Sequence, residues 1–300
     1  MPAVAWAFAT GSPIAVSPRV ADGMIYVGGD RMSALDAATG HLRWRYRSGP
    51  GYTVPPLVAA GAAYVGYVQF GADAGEPGHG TYRVYAMDPV NGQVRWAYPA
   101  RHVTVPRAAW QGMVFAGSYD GSVYALDAAS GDLRWAAPAS QPIFQVTVAG
   151  ETVYAESGVR RLYALDAATG RVRWTHRMEV ASGPVVAAHA TSGINLTDPV
   201  VAAGVVYVGS DDHKLYALDA ATGKARWACT TQASVTSPAV VTDGTVYAGS
   251  QDHILRALDA ATGRLRWSFP TGAVIQAPPV VVGSTVYVGT LGGILYALKQ

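Results

Sequence analysis

Short runs of β-branched and aromatic residues alternate with tight polar turns along almost the whole chain, and no window carries a helical period. Residues 233–270 show the pattern in one pass. Residues 235–241 read as a strand entered beside a proline, Thr242-Asp-Gly244 as a turn, and residues 245–250 as a second strand. Gln251-Asp-His253 turns the chain into a third strand at 254–259, and Ala260-Ala-Thr-Gly263 turns it again into a fourth at 265–269. The unit is four antiparallel strands.

This unit recurs. Eleven residues such as Ala34-Leu-Asp-Ala-Ala-Thr-Gly-His-Leu-Arg-Trp44 are written six times, the other copies ending at Trp96, Trp135, Trp174, Trp227 and Trp267, and a truncated copy ends at Trp6. The intervals between these tryptophans are 38, 52, 39, 39, 53 and 40 residues. Running from Trp267 through the C-terminus and on to Trp6 gives 39 again, as though the chain were a circle cut once. A fixed period of this size predicts one all-β domain over residues 1–300, a seven-bladed β-propeller of four-stranded antiparallel blades. The last blade has three strands of its own, at 278–282, 285–289 and 294–298, and residues 4–8 align with residues 265–269. Blade 7 is therefore expected to be shared by residues 4–9 and 274–299, a closure that removes the exposed edges of an open array.

Features repeated in every blade read as scaffold. The Asp before the turn accepts backbone N–H groups, the Gly takes a left-handed conformation, and the Trp wedges between neighbouring blades with its N–H against the adjacent turn. Trp110 belongs to no repeat. With 14% charged and 50% apolar residues, most of each unit must be buried. A formal net charge of +2 without a run of Lys or Arg points away from nucleic acid and anionic membranes as partners. The single cysteine, Cys229, excludes an intramolecular disulfide and a Cys-rich metal site, and in the outer strand of blade 5 it is expected to be inert. No segment reaches the length of a membrane span, and the N-terminus lacks a basic region and an apolar run of signal-peptide length. The expectation is a monomer without direct membrane insertion, either cytoplasmic or cut from a longer chain.

The recurring Ala-x-Asp-x-x-x-Gly-x-x-x-Trp, following Val-Tyr-x-Gly-Ser, resembles the pyrroloquinoline-quinone-like repeat, in register over essentially the whole chain. That family includes quinoprotein alcohol dehydrogenases, the propeller lipoprotein of the outer-membrane protein assembly machine, and sensor domains of bacterial Ser/Thr kinases. The resemblance implies an extracytoplasmic location if the chain is part of a longer protein. The dehydrogenases are longer, eight-bladed chains with adjacent cysteines over the quinone and Glu, Asn and Asp ligands for Ca²⁺. Seven units and one cysteine depart from that pattern, so neither quinone, another cofactor nor a metal is expected.

Departures from the repeat mark where more than folding is at stake. The two long intervals place insertions at residues 69–80, between the second and third strands of blade 2, and at about 178–194, between blades 4 and 5. In an up-and-down blade these two connection types lie at one end, so both insertions are expected on one face, with Phe70, Glu76 and His79 available to a ligand. Glu156 replaces a Gly found in the six other blades, at 28, 66, 117, 209, 249 and 289, and should need a partner such as Arg160 or Arg161. The innermost strands carry Arg107, Gln145, Asn195, Thr197, Asp198 and Gln276 as further ligand-binding candidates. Asp198 stands where other blades have Ser, Pro or Ala, and with Glu156 it is a candidate catalytic acid. His213 and His253 occupy equivalent, diverging turns and read as turn residues, not metal ligands. No nucleophile elbow, zinc-protease motif, phosphate loop or dinucleotide fingerprint is present. The function expected is non-catalytic recognition of a small molecule or protein at the insertion-bearing face. The alternative is an enzyme of lyase, isomerase or cyclase type with acid–base residues at the channel mouth.

Overall fold

The computed structural model describes residues 6–9, 19–27, 32–46, 51–53, 56–69, 81–139, 141–158, 160–178 and 197–299. Every regular element among them is a strand, and the strands form seven antiparallel sheets in chain order, the blades of a seven-bladed β-propeller. Met1–Pro142 and Ile143–Gln300 form two compact units, holding blades 1–3 and 4–7 respectively.

Blade 3 sets the pattern, with strands Thr104–Trp110, Met113–Ser118, Ser122–Asp127 and Leu133–Pro138. Val123, Tyr124, Ala125 and Leu126 are all buried, whereas in the fourth strand only Trp135 and Ala137 are. Middle strands read as unbroken apolar runs because both their faces are covered, and the outer strand alternates because one face meets water. The cover comes from the neighbouring blade. Tyr26, Met32 and Trp44 of blade 1 pack with Val65 and Met87 of blade 2. Tyr154, Leu162 and Trp174 of blade 4 pack with Val206 and Leu218 of blade 5. The core thus lies between successive blades, and no blade can bury its own faces alone.

Two expectations are revised. The first strands of blades 5, 6 and 7 are only Val200–Ala202, Val240–Thr242 and Val280–Val282, shorter than the sequence suggests. The residues before them turn to the preceding blade: Val235 N donates to Ser210 O at 3.0 Å and Ile275 N to Ser250 O at 3.4 Å. Pro238 and Pro278 have no N–H for a ladder. This approach also explains the recurrent Gly, since a Cβ on Gly209 would lie 2.5 Å from Val235 Cγ1. Second, blade 2 has five strands, because Gly51–Thr53 pairs with Tyr67–Gln69. Blade 7 shows three strands among the described residues, so its completion by residues 4–9 stays an expectation. Of its expected fourth strand, residues 4 and 5 lie outside them and residues 6–9 carry no ladder. Trp110 ends the first strand of blade 3 opposite Met113, away from the docking position of Trp135, as its place outside the repeat requires.

Candidate functional site

At one end of the blades, each repeated Asp closes the turn from third to fourth strand. Asp36 Oδ1 accepts from the amides of Ala38 at 3.1 Å and Thr39 at 2.9 Å, and Oδ2 accepts from Arg43 Nη2 at 2.7 Å. The same ion pair joins Asp88–Arg95, Asp127–Arg134, Asp166–Arg173, Asp219–Arg226 and Asp259–Arg266 at 2.5 to 2.8 Å. The arginines hold these carboxyls below their ordinary range, Asp166, Asp219 and Asp259 to about 2. The carbonyl after the Asp accepts an indole N–H: Trp44 Nε1 donates to Pro89 O at 2.7 Å, Trp174 to Ala220 O at 2.9 Å and Trp227 to Ala260 O at 3.0 Å. Trp6 donates to Ala37 O in the same way at 3.2 Å. The carboxylates of this end are committed to the scaffold.

The other end is irregular. Here the turn from second to third strand meets the connection to the next blade: Thr231 N donates to His213 O and Thr271 N to His253 O, both at 2.8 Å. His213 and His253 have φ of 68° and 67°, and it is their carbonyls that the neighbouring connections engage. Both are turn residues. Arg160 binds Asp211 of blade 5 through two nitrogens, Nη2 to Oδ2 at 2.9 Å. In blade 2 the second and third strands, Ala62–Gln69 and Thr81–Met87, stay paired as far as Gln69 and Thr81. With Gly51–Thr53 alongside, the 69–80 insertion leaves from a three-stranded stem. Beside the stem, His102 stacks between Tyr82 and Tyr119, with centroids 5.0 and 5.9 Å apart and ring planes within 13° and 26°. His102 Nδ1 accepts from Val103 N at 2.8 Å, which fixes the ring, and Tyr119 is 43% exposed.

Of the residues singled out in the sequence, Phe70, Glu76, His79 and Asn195 lie outside the described residues. Met178, placed at the start of the second insertion, is instead buried with Trp174 and Tyr154. Glu156 is wholly buried in the second strand of blade 4, opposite Gln145 in the ladder. The arginines suggested for it are otherwise engaged, Arg160 with Asp211 and Arg161 over the Tyr163 ring. Thr197 clamps Gly209, accepting from its amide and donating to its carbonyl, both at 2.9 Å, and Asp198 follows at the surface. Gln276 borders an apolar cleft of about 330 Å³ in blade 7 with Leu291, Ile294 and Leu295. Arg107 stands at the bulge of its strand, beside a separate cavity in the first unit. Of these candidates the structure thus brings together Gln145 and Glu156, as ladder partners. Cys229 packs against the core between blades 5 and 6, and burial pushes its thiol up, so it stays protonated and unreactive at neutral pH.

Sequence reasoning missed the Tyr82–His102–Tyr119 stack and the turn arginines. The last had a signal, an Arg before each repeat Trp at 43, 95, 134, 173, 226 and 266. The stack had none, because its rings come from a strand, a link between blades and a turn, with no common motif.

The family model of the outer membrane protein assembly factor BamB matches residues 3–105, 82–196 and 181–300. No curated protein matches the chain in sequence. Among solved structures, BamB from Moraxella catarrhalis matches with a TM-score of 0.73 at 20% identity, over 99% of this chain and 86% of that one. The computationally designed Ika8 protein matches at 0.63 and 13% identity, over 94% and 95%. A quinohemoprotein alcohol dehydrogenase from Comamonas testosteroni matches at 0.65 and 17% identity, over 91% of this chain but 62% of its own. At these identities the likeness to solved structures is one of fold.

Proposed function

The chain belongs to the family of the outer membrane protein assembly factor BamB, and from that premise we propose that it is a non-catalytic recognition propeller that binds a protein partner. The binding surface is the end of blade 2 that carries its second-to-third connection, from which the 69–80 insertion departs, with the adjoining link to blade 3. The observation that carries this reading is the braced stem of blade 2 with the Tyr82–His102–Tyr119 stack at its base. Rigid aromatic rings that keep an exposed face lose little entropy on contact and suit a protein partner. The opposite end repeats one Asp–Arg–Trp turn and offers little by which to discriminate partners.

The test replaces residues 69–80 by a four-residue turn and, separately, makes His102→Ala. Both variants should keep the wild-type circular dichroism and nearly its melting temperature, yet lose a partner that the wild-type protein retains from a cell-envelope extract. Val90→Ser, on the exposed turn at the other end, should retain it. Retention by the first two variants and loss by the third would overturn the reading.

A further inference from the structure

Blade 4 breaks a pattern that three other blades keep. The turn from second to third strand reads Ser-x-Asp at 118–120, 210–212 and 250–252, but in blade 4 Ser157 is followed by Val159. Elsewhere that Asp is an acceptor: Tyr124 Oη donates to Asp120 at 2.6 Å and Tyr216 Oη to Asp212 at 2.5 Å. In blade 6 the Asp252 carboxylate binds Ser250 Oγ through one oxygen and accepts from Arg256 Nη2 through the other at 2.6 Å. A serine and an arginine around one carboxylate are thus already built once in this fold. Blade 4 has a serine and two arginines. Its second, third and fourth strands are Thr152–Ser157, Arg161–Asp166 and Val172–Arg177. Their register sets Ser157 opposite Arg161 and Arg161 opposite Arg177, so the three side chains form a row on one face. Ser157 is fully buried and its Oγ makes no hydrogen bond among the described residues. Arg161 is half-buried, its guanidinium carbon 6.0 Å from the Tyr163 ring centroid, and Arg177 is exposed. Neighbouring charges are directed elsewhere: Arg160 is paired with Asp211, and Glu156 lies across from Leu162 on the opposite face.

We propose that this row binds the carboxylate of a small organic acid, held by the Ser157 hydroxyl and the Arg161 guanidinium, with Arg177 closing on it from outside. Like charges directly opposite each other destabilise a sheet, and a buried hydroxyl without a partner costs free energy as well. One carboxylate relieves both. One of its oxygens accepts from Ser157 Oγ and the other from Arg161, the arrangement that Asp252 makes with Ser250 and Arg256 in blade 6. The planar guanidinium presents paired N–H donors that match a carboxylate, and the Tyr163 ring holds that of Arg161 in place. The row grades from buried at Ser157 to exposed at Arg177, so a ligand enters from the outer strand. The site is built from blade 4 alone and does not depend on the protein-binding role of blade 2.

The experiment titrates succinate into the whole chain at low salt, by calorimetry and by the Nε–Hε resonances of the arginines. The wild-type protein should bind it with a shift at Arg161, and more weakly as chloride is raised. Arg161→Gln should weaken binding about tenfold or more, the loss expected for a charge-assisted contact. Arg264→Gln, at an exposed position in the turn of blade 6, makes the same change of net charge and should leave binding intact. Val159→Asp puts back the carboxylate that the three other turns carry, and it should raise the melting temperature while abolishing succinate binding. Ser157→Ala removes the unpartnered hydroxyl, so it should also raise the melting temperature and yet weaken binding, a pairing that damage to the fold cannot produce. The proposal is overturned if the wild-type protein does not bind succinate, if Val159→Asp binds it as tightly as wild type, or if Arg264→Gln weakens binding as much as Arg161→Gln.

Discussion

Asp219 shows how one residue serves several neighbours at once. Its Oδ1 accepts from the amides of Ala221 and Thr222 and from the Thr222 hydroxyl, and its Oδ2 accepts from Arg226 at 2.6 Å. The Arg226 contact, then Thr222, holds the carboxyl down to about 2 in the folded state, against about 3.9 for a free Asp. The sign follows from linkage: a depressed folded pKa gives stability that is present above about pH 4 and fades as the pH falls through about 2. Arg226→Gln should therefore move the Asp219 carboxyl midpoint, read by carbon-13 NMR, upward from about 2 toward the free value. An unmoved midpoint would show that Arg226 is not the main cause. The Asp was legible in the sequence as a turn former, because its spacing to the Gly is fixed. The charge partner seven residues on was not read, although it recurs just as regularly, because an exposed Arg looks like an ordinary solvated side chain until the turn brings it back.

At the scale of the element, the third-to-fourth turn is also the socket for the next tryptophan, and two glycines of blade 5 separate these roles. Gly204 and Gly223 have nearly the same backbone, φ of 73° and 70°. A Cβ on Gly204 would meet nothing within 4 Å, whereas on Gly223 it would lie 2.5 Å from Trp174 Cε3. Gly204→Ala should cost only the left-handed strain, about 1 kcal/mol. Gly223→Ala adds a clash with a ring that is 8% exposed and hydrogen-bonded to Ala220, so the total should reach about 2 to 4 kcal/mol. Urea unfolding of both variants checks this, and equal losses would mean that Trp174 yields without cost. The hairpins themselves were legible from the period-two runs and the Gly and Asp between them. The shortened first strands of blades 5 to 7 were not, because the amides of Val235 and Ile275 serve a neighbouring blade and no local pattern records that. Nor was the blade 2 stem, since the sequence places the insertion but not the third strand that braces it.

For the whole molecule, seven units could be counted from the tryptophan spacing alone, because each blade needs the same wedge to cover its neighbour. The candidate site was less legible, since polar residues in and around the first two strands of a blade look alike until their surroundings separate them: Glu156 is enclosed, Thr197 is a backbone clamp and Arg107 lines a cavity. The closure of the seventh blade stays a prediction, and two observations bear on it. Trp6 sits on the blade 1 turn as Trp174 sits on that of blade 5, donating to Ala37 O and covering Gly40. Every other docked tryptophan with a described strand belongs to the fourth strand of a blade. By that rule residues 4–8 should be the fourth strand of the blade containing Leu295–Lys299, whose Leu295 is 71% exposed among the described residues. Deleting residues 1–9 then empties the Trp6 socket and bares a strand edge, a loss of about 3 to 5 kcal/mol by analogy with large-to-small core changes. The melting temperature should fall by several degrees, and a peptide of residues 1–9 added in excess should restore part of it, as any ligand of the folded state would. An undiminished melting temperature after the deletion would overturn the closure, and a fall that the peptide cannot reverse would confine the role of this segment to the blade 1 turn.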